Sequence, residues 1–231
     1  MSIHRLVGLC VALACTIAPA FAQTFDTSAG NLIAVLRESP GANHEAERLE
    51  PIGKVKAALS DGREVEIDAS WFHYLGDMHV RLVFDGERSM QTASPDDLHR
   101  LQLSPEQALE RAAHNLRQRY GVPQVQPWTG RLMQVTGASP DLASSYFLDR
   151  AFWQALMADY PEGVVVAVPQ RVGLVFARAS DEVAVTNLRF TAAALYAAAD
   201  RTRISSALYL FKDGRWSVFQ APQQAVQSAQ Q

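Results

Sequence analysis

The stretch Gly163-Val164-Val165-Val166-Ala167-Val168-Pro169-Gln170-Arg171-Val172-Gly173-Leu174-Val175-Phe176-Ala177 carries the fold class. Val164 to Val168 is apolar at every position, as a strand covered on both faces must be. Pro169 is expected to end it, because proline has no N–H for a ladder interior. Val172 to Ala177 reads as a second such strand, joined to the first by Pro169-Gln170-Arg171.

Working outward, Ser180-Asp181-Glu182 opens a long helix with Val185, Leu188, Ala192, Leu195 and Ala199 on one stripe. Ser206–Phe211 and Arg215–Phe219 flank Asp213-Gly214 and read as a closing hairpin, since Asp-Gly tolerates the positive φ of a tight turn. Upstream, Arg131–Thr136 and Ser144–Leu148 read as strands. Asp149 caps a helix with Phe152, Trp153, Leu156, Met157 and Tyr160 on one face. The order is therefore ββαββαββ. Helices alternating with hairpins predict an α+β fold, with a mostly antiparallel sheet and helices packed on one side. A doubly wound parallel sheet alternates single strands with helices and fits less well.

The N-terminal part is less regular. Asp26-Thr27-Ser28 before Leu32, Ile33, Val35 and Leu36 predicts a short amphipathic helix, ended by Pro40-Gly41. Lys54–Leu59 and Glu64–Asp68 flank Ser60-Asp61-Gly62-Arg63 and predict a hairpin, with Trp71-Phe72-His73-Tyr74-Leu75 covering it. His79–Phe84 reads as a strand. Ser94-Pro95-Asp96-Asp97 and Ser104-Pro105-Glu106-Gln107 each supply a cap, a proline at the first helical position and acids near the positive helix end. The second helix carries Leu109, Ala112, Leu116 and Tyr120, and Gly121 closes it. The expected organisation is an N-terminal α+β segment over 23–100 and a domain over 101–219. A Gln-, Ala- and Ser-rich tail over 220–231 is expected to be disordered.

Residues 1–22 read as a cleavable export signal. Arg5 precedes the apolar run Leu6–Ala18, and Ala20-Phe21-Ala22 is a small-residue site for cleavage before Gln23. A bilayer span needs roughly 20 apolar residues, and this run is shorter. Lipoprotein processing at Cys15 is the alternative, although Ala12 stands where leucine is usual. Both cysteines, Cys10 and Cys15, lie in the signal, so the expected mature chain has no disulfide and no thiol chemistry. Its charge is 20 basic minus 24 acidic residues, or -4. No basic stripe points to nucleic acid, and no later segment reads as transmembrane. Arginine outnumbers lysine 18 to 3.

No constellation carries a reaction on spacing alone. The mature histidines, His44, His73, His79, His99 and His114, show no His-x3-His pair, so zinc is not supported. His73, Asp77, His79 and the Asp97-x-His99 pair are candidates to converge in space. There is no G-x-S-x-G elbow, no P-loop and no G-x-G-x-x-G, and no cofactor is expected. Asp96/Asp97 and Asp181/Glu182 sit at helix starts, where the helix dipole accounts for them. Three residues stand out as speculative ligand or partner contacts. Asn115 lies beside an apolar helical stripe where asparagine is a poor helix former, either bonding a neighbouring backbone segment or meeting a ligand. Arg171 lies at the tight turn after the buried strand, facing ligand or solvent. Trp153 fills the core or lines a groove.

Four stretches resemble the YtpQ-like bacterial proteins, a family classed as a domain of unknown function. They are Ala112-Ala113-His114-Asn115-Leu116-Arg117, Ser145-Tyr146-Phe147-Leu148, Gly163 to Phe176, and Leu208 to Phe219, and together they cover roughly residues 98–219. The resemblance implies a fold and brings no catalytic residues with it. The functional expectation is a periplasmic or secreted, non-catalytic domain that binds a protein or envelope component. The alternative is a periplasmic hydrolase assembled from dispersed Ser, His and Asp.

Overall fold

The computed structural model describes residues 25–58, 62–87 and 89–223. The export signal, Ser60-Asp61 of the expected hairpin turn and most of the expected tail lie outside the described residues. After a 3-10 turn at Ala29–Asn31, the chain enters strand β1, Leu32–Glu38. This replaces the helix expected from Asp26 to Leu36. Leu32 to Leu36 is an unbroken buried run, which satisfies helical spacing and a two-faced strand equally well. Seven residues in antiparallel register with Met78–Asp85 select the strand.

Short β2 (Glu50–Pro51) leads into the hairpin β3 (Lys54–Ala58) and β4 (Glu64–Asp68), where Gly62 has φ +82°. The aromatic segment does not cover that hairpin. Trp71–His73 is itself strand β5, paired with β6, Met78–Asp85, while β7 (Met90–Thr92) pairs with β6 further along. The first sheet runs β1-β6-β5-β2, with β7 beside β6.

Helices α1 (Pro95–Arg100) and α2 (Pro105–Tyr120) begin where the caps place them. Ser94 with Asp97, and Ser104 with Gln107, each close a capping box, which satisfies two otherwise orphan N–H groups at each start. Gly121 ends α2 at φ +81°.

The second sheet begins with β8 (Gln124–Pro127) and β9 (Met133–Thr136), which pair with each other. Ser144–Leu148 is not a strand: it belongs to a 3-10 helix over Pro140–Leu148, whose residues from Leu142 onward are all buried. Burial at every position, Ser144 and Ser145 included, leaves that segment without the periodicity that separates helix from strand. The ββαββαββ order still holds, because β8 takes the place assigned to it. Helix α3 (Arg150–Leu156) is capped by the Asp149 carboxylate, and β10 (Val164–Gln170) and β11 (Gly173–Arg178) follow. Pro169 does not end β10; it falls within a register irregularity between Ala167 and Gln170. Helix α4 (Glu182–Ala198) and the hairpin β12 (Leu208–Lys212) and β13 (Arg215–Gln220) complete the chain. The sheet order is β13-β12-β10-β11-β9-β8, and every strand pairing among the described residues is antiparallel.

The fold is α+β, with the helices divided between the two faces of the second sheet rather than gathered on one side. Val165 and Ala167 of β10 pack with Val185, Leu188 and Ala192 of α4. Val164, Val166 and Val168 face the opposite way, into a cluster with Trp153 of α3, Phe176 and Phe211. A strand apolar at every position needs a cover on each side: α4 supplies one, and α3 together with the first sheet supplies the other. That larger cluster also takes in Leu36, Phe72 and Val80 of the first sheet. At the C-terminus, Gln220 belongs to β13 and the Gln223 N–H donates to Ser206 Oγ at 2.8 Å, so order extends past the expected start of the tail.

Candidate functional site

Alternation along the first sheet separates a largely apolar face from one that gathers cations. Leu36, Val80 and Phe72 lie opposite one another on adjacent strands and are buried. One residue along, the register sets Arg37 opposite His79 and His79 opposite His73. In the next row of the same face, Arg81 is opposite Trp71. Arg171, on the β10–β11 turn of the second sheet, lies within electrostatic range of Arg37 and Arg81. Its charge, after burial, is the next cause holding both Arg37 and Arg81 down at about 10.

Contacts within the face are specific. The Arg81 guanidinium lies over the Trp71 ring, 3.6 Å from its centroid, a cation–π arrangement. Arg81 Nε–H donates to His79 Nε2 at 2.9 Å, and His79 Nδ1 lies 2.9 Å from Ser39 Oγ. An arginine Nε can only donate, so His79 Nε2 accepts and the ring proton sits on Nδ1, facing Ser39. Burial, then Arg81, Arg37 and His73, bring the His79 pKa down to about 4. The imidazole is therefore neutral near pH 7, and its nitrogen beside Ser39 is already protonated. It cannot remove the Ser39 proton, which disqualifies the one Ser–His contact among the described residues as a base–nucleophile pair.

The face is rich in donors and poor in acceptors. Trp71 Nε1, Arg171 Nε and His73 Nδ1 are buried atoms without a hydrogen-bond partner. Arg37 donates to its neighbouring Leu36 carbonyl, and Arg171 to the Arg201 carbonyl at 3.2 Å. Nearby carboxylates are turned to other partners. Glu50, opposite His73 on the same face, pairs with Arg48 at 3.0 Å, Glu38 accepts from Tyr196 Oη, and Asp77 accepts from Ser205 Oγ and Tyr209 Oη. Arg37, Arg81 and Arg171 make no ion pair among the described residues.

Of the residues singled out from sequence, the structure sets His73 opposite His79 and His44 against His73 at a ring distance of 4.8 Å, while Arg171 comes within electrostatic range of their neighbours Arg37 and Arg81. The other candidates go elsewhere. Asn115 Nδ2 donates to the carbonyls of Ala29 and Leu32 at 2.8 and 2.7 Å, pinning the entry of β1 to α2. Trp153 is fully buried, with Nε1–H donating to the Tyr146 carbonyl at 2.9 Å and edge contacts to Phe176 and Trp216. Asp97 is spent on its capping box and Arg100. Arg37, Arg81 and Trp71 were not singled out. The signal available for them was period two: Trp71-x-His73 and His79-x-Arg81 put both members of each pair on one face, which matters only once β5 is known to pair with β6.

A concavity of about 650 Å³ lies elsewhere, between α2, α3 and the residues around Glu47, Tyr74 and Trp216. Its size suits a small molecule. Its main ionic groups are already engaged with one another. Glu47 accepts from Tyr74 Oη at 2.5 Å, from Arg150 and from the Trp216 N–H, while Asp149 pairs with Arg117 and caps α3.

Among the described residues no helix is long and apolar enough to cross a membrane. Comparison with known proteins found no matching family model, no matching curated protein and no matching solved structure.

Proposed function

We propose that this chain is an exported, periplasmic protein, cut after Ala22, whose mature part binds a protein or envelope component and does not turn it over. The binding surface in this reading is the cationic face of the first sheet, around Arg37, Arg81 and Arg171. The observation that carries it is the donation from Arg81 to His79, which leaves the cations ready to bind and the one Ser–His contact unable to start an acyl transfer. Likeness to the YtpQ-like proteins over residues 98–219 is part of the proposal. An experimental family structure lacking the order β8-β9, α3, β10-β11, α4, β12-β13 would remove that part.

The competing reading is a hydrolase centred on Ser39, favoured only by its 2.9 Å approach to His79. A panel of ester, peptide and glycan substrates separates the two. No turnover is expected; turnover abolished by Ser39→Ala would replace the proposal. Mass spectrometry of the protein recovered from the periplasm is expected to show a chain starting at Gln23, and a lipid-modified Cys15 would instead establish a lipoprotein.

A further inference from the structure

We propose that Arg37, Arg81 and Arg171 hold a dianionic phosphoryl group, either inorganic phosphate or the phosphomonoester of a larger ligand. This rests on the binding face proposed above and names what that face takes.

Three arguments lead there. The first is charge. Arg37 and Arg81 share one half-buried face of the first sheet with Arg171 in electrostatic range of both, His79 is neutral, and the nearby carboxylates are bound elsewhere, Glu38 by Tyr196, Asp77 by Ser205 and Tyr209, and Glu50, opposite His73, by Arg48. Like charges are brought together at a cost that an anion relieves. The second is hydrogen bonding. Among the described residues Arg37 and Arg171 donate only to the Leu36 and Arg201 carbonyls, although each guanidinium carries five N–H donors. An oxyanion presents several acceptor atoms to such a group at once, and guanidinium forks match its geometry. The third is valence. One carboxylate leaves an excess of two positive charges, whereas a phosphoryl group carries about -1.5 to -2 at pH 7. Access is open, because Arg37, Trp71, His73, Arg81 and Arg171 are all partly exposed.

The test is a titration of the mature chain, residues 23–231, at constant ionic strength, read by calorimetry. Inorganic phosphate, phenyl phosphate, sulfate and acetate are compared, and vesicles with and without phosphatidic acid form a separate arm. Saturable binding of phosphate or phenyl phosphate is expected, at least tenfold tighter than acetate. Co-sedimentation with phosphatidic acid vesicles and not with phosphatidylcholine would identify a lipid headgroup as the source; binding of the small phosphates alone would identify a soluble one. Phenyl phosphate affinity is expected to fall about tenfold between pH 7 and pH 5, as the monoester passes its second pKa near 6, while sulfate affinity stays flat. Arg171→Gln, on a turn, is expected to weaken phosphate binding at least tenfold with an unchanged circular dichroism spectrum. Arg37→Gln provides an independent check, since Arg81→Gln also removes the Trp71 and His79 contacts. Equal affinity for acetate and phosphate, or full affinity in both Arg171→Gln and Arg37→Gln, overturns the inference. Absent phosphate binding with a silent substrate panel removes only this inference; turnover of phenyl phosphate or of a panel substrate removes the broader reading as well.

Discussion

The position of the His79 proton decides between binding and acyl transfer, and it has a thermodynamic signature. The His79 pKa falls from 6.5 to about 4 in the folded chain, chiefly through burial and then through Arg81, Arg37 and His73. Between those values the unfolded chain holds a proton that the folded chain does not, so stability rises with pH across the window. His79 thus contributes stability that is fully present above about pH 6.5 and lost as pH falls through 4. A shift of this size corresponds to ~3 kcal/mol. Asp77 and Asp149 act in the opposite sense, since burial raises their pKa values, so the raw pH profile mixes signs. The difference between wild type and His79→Gln isolates the imidazole. Urea unfolding of both proteins from pH 4 to pH 7.5 is expected to show the wild type losing ~2–3 kcal/mol more than the variant on acidification. Nitrogen NMR should find the neutral ring protonated on Nδ1 at pH 6. Parallel profiles for the two proteins, or a ring protonated on Nε2, would refute the reasoning and return Ser39 to consideration as a nucleophile.

Three further outcomes follow from packing and backbone geometry. Asn115→Ala should destabilise by about 2–4 kcal/mol in urea unfolding, because it deprives the Ala29 and Leu32 carbonyls of their donor, and Asn115→Asp should not rescue it. Trp153→Ala should cost about 3–5 kcal/mol, with Trp153→Phe milder but still short of the Tyr146 hydrogen bond. Gly76→Ala should impair folding, since Gly76 has φ +59° and an added Cβ would lie 2.5 Å from Tyr209 Oη; a wild-type melting temperature would contradict the close approach of the two sheets there.

Local chemistry was legible where it acts over a few residues. The Ser94, Ser104 and Asp149 caps and the closing hairpin at Asp213-Gly214 fall where their sequence signals lie, because a hydroxyl or carboxylate three residues from an N–H needs no distant partner. Segments whose partners are distant were misread. Leu32–Leu36 and Ser144–Leu148 are buried on all sides, so neither period two nor period 3.6 survives in them. The candidate site was only partly legible. Arg171 was visible as a cation at a tight turn, but Arg37 and Arg81 resemble any solvent-facing strand residue until the first sheet is paired.

The sequence by itself determined the α+β class, the helix starts, the turn at Asp213-Gly214 and the buried central strand, all through contacts between near neighbours or through composition. Tertiary structure alone decided that β1 is a strand, that α3 and α4 lie on opposite faces of the second sheet, and that Arg171 comes within electrostatic range of two arginines at least ninety residues earlier in the chain. That last juxtaposition depends on register: sliding β6 by one residue against its neighbours would turn His79 and Arg81 into the core and dissolve the cationic face.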